Sequence, residues 1–540
     1  MHQNFKIVIV IIMLSSLHIF NVDAQQIEQE ELVQYTKTSN FIKEFKIPLD
    51  TLGLKGITTD SQGNAWFYHA TNVTSTIIKF EPETGIFTTY SIEGQTQSND
   101  PIINLAGGMI IYDKSKNLIW FTDARTNSIG NINIESGKVQ LVSIPTKDSG
   151  PMGIVLSLDE KSIWFSEIIA NKIAKLDVQT GTITEYSTGE QSGPTFLTFD
   201  NNGELWITLS YSHEILHVKP KLLDSDLTSA MSKISLPPFF SPFGIAVVDD
   251  TGTQKIFFSD HGSNRIISVD VNSNFDSFKL YWTSPSHVYP QTLPGQIVAD
   301  KAGNIYFPQH GGNRISKINL NSDIMTEYDI PTGPLSTVVF IAVSEDGKRV
   351  WFAEVMSNKV AYLDTTLNVP FNLHVQSDKL TLDYNGQKTI DVLLTANEDN
   401  ASLVSLSEVE LGVIGMTESG LEGIMYNAQP QRVDLTQNKI IESKIDLLLD
   451  EKAKAGDYNI MVRAIAAEND QLLVSQLYPI SITLDIPTIL KEAQLDLADD
   501  KKIESNNQLL YDSTRMVALV VAIGLIGFLI YNRAKKKETS

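Results

Sequence analysis

No cysteine occurs anywhere in the 540 residues. That excludes disulfide staples, a thiol nucleophile and thiolate-ligated zinc, so stability must come from buried cores, which a chain this long can build. Basic residues are scarce beside acidic ones: 42 Lys and Arg against 64 Asp and Glu, a net charge of −22. Nucleic acid and anionic headgroups are therefore poor partners for the body of the chain, because polyanions repel it. No P-loop, dinucleotide fingerprint, Gly-x-Ser-x-Gly elbow or His-Glu-x-x-His helix is present.

Long apolar runs are confined to the two ends. Lys6 precedes the run Ile7–Phe20, and Val22-Asp23-Ala24 makes a small-residue cleavage site, so residues 1–24 read as a secretory signal. Near the other end, Met516–Tyr531 is uninterrupted by charge, with Arg515 before it and Arg533, Lys535, Lys536 and Lys537 after it. A transmembrane helix over 514–532 is expected, followed by a cytoplasmic basic tail over 533–540, since positive flanks stay inside. The expected location is the cell membrane, single-pass, with the N-terminal ectodomain outside. The sequons at Asn72 and Asn400 would then face an extracellular environment.

Between these ends one pattern recurs at a spacing of roughly 45 residues, within the range of propeller repeats. Its centre is an aromatic pair: Trp66-Phe67, Trp120-Phe121, Trp164-Phe165, Trp206-Ile207, Phe257-Phe258, Tyr306-Phe307 and Trp351-Phe352. Turns such as Asp60–Asn64, Asp200–Gly203 and Asp300–Asn304 precede it, rich in residues that cap their own backbone. Alternating strands follow, as in Asn171–Asp177 and Asn358–Asp364, each opened by an Asn read as turn chemistry. Four short strands per unit make a blade, and seven units make an all-β, seven-bladed β-propeller over 41–368. The last unit stops one strand short, while Phe41–Pro48 resembles Met325–Pro331, so residues 41–48 are expected to complete the blade of Trp351 and close the ring. Residues 371–487 lack the repeat and alternate as in Thr389–Leu394 and Tyr458–Ala464. Their size and strands suggest an Ig-like β-sandwich. The charged stretch 488–513 reads as a stalk.

The stretch Ser162-Ile163-Trp164-Phe165-Ser166-Glu167, with Asn171-Lys172-Ile173 after it, resembles the repeat of the streptogramin (virginiamycin B) lyase family. Val350–Glu354 with Asn358-Lys359-Val360 is similar. The resemblance covers all seven blades and not the C-terminal part. It implies a carbon–oxygen lyase that opens a cyclic depsipeptide with Mg²⁺, using a Glu of the Trp-Phe-x-Glu strand and a His in a Pro-His-Gly turn. In such chemistry a base removes an acidic proton while a cation polarises the carbonyl. Here the matching turns read Pro151-Met152-Gly153 and Pro242-Phe243-Gly244, and elsewhere Pro194-Thr195-Phe196, Pro294-Gly295-Gln296 and Pro334-Leu335-Ser336, with no His.

The position of the motif Glu carries His69, Asp123, Glu167, Leu209, Asp260, Gln309 and Glu354, blade by blade. Glu167, Glu354 and His310 are the candidate catalytic groups. His69, Asp123, Met152, Phe243 and His261 are candidate ligand contacts at the propeller mouth. Asp260, His261 and His310 are candidate metal ligands, for Mg²⁺ or Ca²⁺ if a cation is used. The alternative for the acids is structural, as acceptors for turn amides. Three functions stay open: a membrane-anchored extracellular protein binding a ligand, glycan or surface partner; a metal-dependent lyase or hydrolase; and a structural envelope protein.

Overall fold

The computed structural model describes most of residues 39–485; outside it lie 1–38 and 486–540 and, within the body, chiefly 95–105, 286–290, 398–407, 415–423 and 450–455. The expected signal, stalk, transmembrane helix and basic tail, and both sequon asparagines, fall outside the described residues. Among the described residues no helix is long and apolar enough to cross a membrane.

The repeats form seven four-stranded antiparallel blades. Their inner strands are Leu54–Thr59, Ile110–Asp113, Pro151–Leu156, Pro194–Phe199, Pro242–Asp250, Val298–Ala299 and Val338–Val343, defining blades 1 to 7. In blades 1 to 6 the strands follow one another outward in chain order. Blade 7 is composite: Ile42–Lys46 pairs with Lys359–Asp364, from Ile42 opposite Leu363 to Lys46 opposite Lys359. The seam lies where the repeat count places it, and it removes the edge that an open array would expose.

The aromatic pair is explained by the two-residue period of a strand. Trp66 packs with Ile119 and Phe121 of blade 2, whereas Phe67 packs with Trp351 and Tyr362 of blade 7. Each pair therefore glues its blade to both neighbours, and burying each such side chain contributes roughly 2–3 kcal/mol. The Asp turns complete the arrangement. Asp60 Oδ1 accepts from the amides of Gln62 (2.9 Å) and Asn64 (3.0 Å), and its Oδ2 accepts from the Trp66 indole at 2.8 Å. Asp200 does the same for Asn202, Glu204 and Trp206, and Asp300 reaches the Tyr306 hydroxyl.

Beyond the propeller, two sheets share one core. One contains Phe371–Val375, Gln387–Ala396, Ile440–Leu449 and Ile424–Gln429; the other contains Val409–Ile414, Gly456–Glu468 and Gln471–Asp485. The second sheet does not stand apart. Gln471–Asp485 pairs antiparallel with Ile324–Asp329, the outer strand of blade 6, from Met325 opposite Leu477 to Tyr328 opposite Val474. Blade 6 and this sheet thus form one nine-stranded sheet. Its seam holds Glu327, 1 % exposed, which accepts from the Ser284 amide (2.9 Å), the Gln309 side-chain amide (2.6 Å) and the Ser475 hydroxyl (2.9 Å). A carboxylate so buried is tolerated because hydrogen bonds replace its water.

Candidate functional site

Inner strands begin, and second strands end, at the same end of the propeller, so all seven positions of the motif Glu meet there. In the pairing register His69 lies opposite Leu54, Glu167 opposite Pro151, Leu209 opposite Pro194, Asp260 opposite Pro242 and Glu354 opposite Val338. Gln309 bridges to Pro294. All seven are buried.

A β-bulge interrupts this register in blades 1, 3, 4, 5 and 7, always between the first and fourth residues of the pattern. The bulge inserts unpaired residues and re-aims their side chains. It also corrects the alignment of blade 7: the match to Pro151-Met152-Gly153 is Val338-Val339-Phe340, because the strand starts four residues after Pro334. In blade 1 the same register gives Leu54-Lys55-Gly56. Lys55 therefore occupies the position of Met152 and Phe243, and sequence reasoning missed it because no proline marks that turn.

The middle of the ring is filled with apolar groups. Phe196 meets Phe243 at 5.0 Å between ring centroids and Phe340, from the far side of the ring, at 6.4 Å. Met152 and Phe243 are 5 % and 3 % exposed, so neither is an open lining residue. Against Phe243 the His261 ring stacks at 4.6 Å, and His310 of the next blade follows at 6.0 Å from His261. The sequence placed these two histidines on adjacent blades, and they do approach. His261 Nδ1 lies 3.0 Å from the Pro294 carbonyl oxygen. His310 Nδ1 is buried without a hydrogen-bond partner. Burial, then the neighbouring His261, lowers the His310 pKa to about 3, so its ring is neutral at physiological pH.

The acids divide into two groups. Asp123 accepts from the Tyr68 hydroxyl (3.1 Å) and the Arg125 amide (3.0 Å), and Asp260 from the Ser241 amide (2.8 Å) and Arg265 Nε (2.7 Å). Both hold the blade ends together. Glu167 and Glu354 are different. Neither Glu167 oxygen has a hydrogen-bond partner, and Glu354 Oε1 also lacks one. Burial, followed by the nearby Glu185, raises Glu167 to about 8; burial, followed by Glu44, raises Glu354 to about 7. Beside each runs the same ion pair: Lys172 to Glu185 at 2.7 Å, and Lys359 to Glu44 at 2.6 Å. In both, the outer-strand Glu also accepts from the amide of a threonine in the link from the preceding blade, Thr146 or Thr332.

Among the described residues no three His, Asp or Glu side chains converge as cation ligands. A hard cation wants several oxygens together, and the acids here are spread one per blade, two of them engaged by arginines. The described residues do not fit an all-protein Mg²⁺ cage. The recurrent asparagines are turn chemistry: Asn127, Asn171, Asn313 and Asn358 sit at φ near +50° to +56°, and the side chain of Asn127, for example, donates to Ile144 and Thr146 oxygens. His213 takes this role in blade 4, at φ +57°, with Nδ1 2.6 Å from the Phe240 oxygen. Clefts lie elsewhere on the molecule. One of about 510 Å³ is lined by residues of blade 6 and the second domain, Lys317, Tyr328, His374 and Tyr478 among them.

The virginiamycin B lyase family matches this chain over two overlapping stretches, residues 40–222 and 191–379. The chain belongs to that family. Among solved structures, a streptogramin B lyase is 25 % identical, covering 60 % of this chain and 97 % of its own, with a TM-score of 0.49. A catalytically inactive variant of virginiamycin B lyase from Staphylococcus aureus, with quinupristin, is 23 % identical over 60 % of this chain and 98 % of its own, with a TM-score of 0.50. A search of the curated proteins matched none of them. The family match ends near residue 379, so the second domain is an addition to the family's propeller.

Proposed function

We propose that this family member is an exported, membrane-anchored receptor-like propeller whose mouth binds an extracellular ligand, a glycan, peptide or surface protein, without opening a streptogramin ring. The observation that carries this reading is the apolar plug. The two Pro-x-Gly turns present Met152 and Phe243, both buried and unable to move a proton, and Phe243 is locked between Phe196 and His261. The Glu167 carboxyl, raised to about 8 by burial and without a hydrogen-bond partner, is mostly protonated at neutral pH, which suits hydrogen-bond donation to a ligand. The second domain, read as Ig-like, holds the propeller as one body with it through the shared sheet, and the segments 1–24 and 514–532 supply export and anchoring.

The test is to incubate the purified full-length protein with quinupristin and Mg²⁺ and follow the compound by chromatography. The expected result is an unchanged ligand. A ring-opened product that disappears with Glu354→Gln would restore the lyase reading.

A further inference from the structure

The joint between blade 6 and the second domain sets a row of polar side chains across the shared sheet. Lys317 lies opposite Thr326, and Thr326 lies opposite Gln476. Residues directly opposite on neighbouring strands share a face. Tyr328 and Tyr478 stand two residues along from Thr326 and Gln476, so they share it too. All five line the cleft of about 510 Å³, whose other wall comes from residues within 363–375, the passage from blade 7 into the second domain. That volume is in the range of small-molecule sites. Glu327 and Ser475, one residue away on their strands, bond to each other on the opposite face.

The row is buried but not satisfied. Thr326, Gln476 and Tyr328 are 6 %, 5 % and 7 % exposed. Gln476 Oε1 accepts from the Leu373 amide at 2.7 Å, which fixes the side chain with its Nε2 turned away from that bond. Among the described residues, that Nε2 and the Tyr328 and Thr326 hydroxyls have no hydrogen-bond partner. Lys317 likewise makes no ion pair or hydrogen bond among them, and its amine stands 5.9 Å from the centre of the Tyr306 ring. Asp300 favours its charge, but that carboxylate already accepts from Ala302, Asn304 and Tyr306. Asp323 is engaged by Lys279 and Tyr281.

Buried donors without acceptors cost free energy that a ligand's oxygens recover. The set is one-sided: an ammonium, a carboxamide NH₂ and hydroxyls that can all donate. A carboxylate suits it, since its two oxygens accept several bonds and bind most strongly to a cation. One cation matches one negative charge, and a chain of net charge −22 disfavours polyanions. Beside the row, Asn319, Ser322, Thr365 and Asn372 line the cleft with neutral groups that donate and accept, as sugar hydroxyls require.

We propose that this cleft is a second ligand site, for a small hydroxylated monocarboxylate of the sugar-acid class, with Lys317, Gln476 and Tyr328 holding the carboxylate. It is separate from the propeller mouth. Gln476 and Tyr478 lie beyond the family match, so the added domain completes the site.

Sodium glucuronate is the probe, titrated calorimetrically into the purified full-length protein. One saturable site is expected, with glucose and hexanoate each at least about tenfold weaker, since one lacks the charge and the other the hydroxyls. Gln476→Glu keeps the acceptor for the Leu373 amide but adds a negative charge, and should weaken glucuronate at least about tenfold. Tyr328→Phe keeps the ring against Phe41. It should weaken glucuronate about threefold or more at an unchanged melting temperature, and it decides the matter if Gln476→Glu fails to fold. No saturable binding of glucuronate up to about 20 mM overturns the proposal. Glucose or hexanoate binding as tightly as glucuronate overturns the ligand class. Glucuronate binding that both substitutions leave intact places the ligand elsewhere and overturns the site. None of these results bears on the quinupristin test, so the two readings fail separately.

Discussion

At the end of the propeller that carries the Asp turns, blades 1, 4 and 6 repeat one solution, a carboxylate clamping two amides and an aromatic side chain. At the mouth the residues facing the ring differ from blade to blade: Lys55, Gly108, Met152, Thr195, Phe243, Gly295 and Val339. The first end solves a problem every blade shares, which is to close a tight turn and fix a buried ring. The second is built on a repeated backbone, bulged in blades 1, 3, 4, 5 and 7, but its side chains follow no repeat. Repetition marks what folding needs, and divergence on a repeated frame marks where selection for a ligand can act.

The largest effect expected concerns the seam, which belongs to both ends. Deleting residues 41–48 removes the buried Phe41, Ile42 and Ile47 and leaves the strand Lys359–Asp364 as an open edge. Roughly 5–9 kcal/mol of apolar burial is lost, comparable to the stability of a whole domain. Cooperative thermal unfolding should vanish, and a synthetic peptide spanning 39–49 added in trans should restore it. A deletion variant that melts as the parent does would show that the ring closes some other way.

The turn end supplies the next effect. Asp200→Ala strips partners from two amides and the Trp206 indole, an expected loss of about 2–4 kcal/mol, read by denaturant unfolding. Indole deletions sharpen the contrast. The Trp120 indole nitrogen is buried without a partner, so Trp120→Phe should cost less than Trp206→Phe by about 1 kcal/mol. Equal costs would mean that the clamp contributes nothing.

These features were readable because they are local and repeated. The Asp turns lie within a few residues of their partners, the aromatic pairs and second-turn asparagines recur at a fixed spacing, and the missing strand could be found by counting. The mouth was harder. Pro334 drew the alignment of blade 7 four residues early, and Leu54-Lys55-Gly56 has no proline to draw it at all. His213 was passed over because it is the one histidine in a row of asparagines. The union of blade 6 with the second domain left no trace in the sequence, since an outer strand pairs through backbone groups that every residue possesses. Only the buried Glu327 hints at it, and Met325-Thr326-Glu327-Tyr328 looks like any other outer strand.

The last contrast is between the two kinds of acid at the mouth, and its sign runs against intuition. Glu167 is raised to about 8 in the folded protein, while an unfolded glutamate titrates near 4.3. Between those values the unfolded chain binds fewer protons, so stability falls as pH rises through this window. Glu167→Gln keeps the shape of the protonated side chain and removes the penalty. The variant should match the parent near pH 4.5 and exceed it by about 1–3 kcal/mol at pH 8, measured as denaturant midpoints across pH. Asp260→Asn is the counterpart: that carboxylate is ion-paired with Arg265, and the change should destabilise at neutral pH. If Glu167→Gln instead destabilises at pH 8, the carboxylate is ionised there and held by a partner outside the described residues. Glu167 would then belong with Asp123 and Asp260 among the groups that hold the blades together.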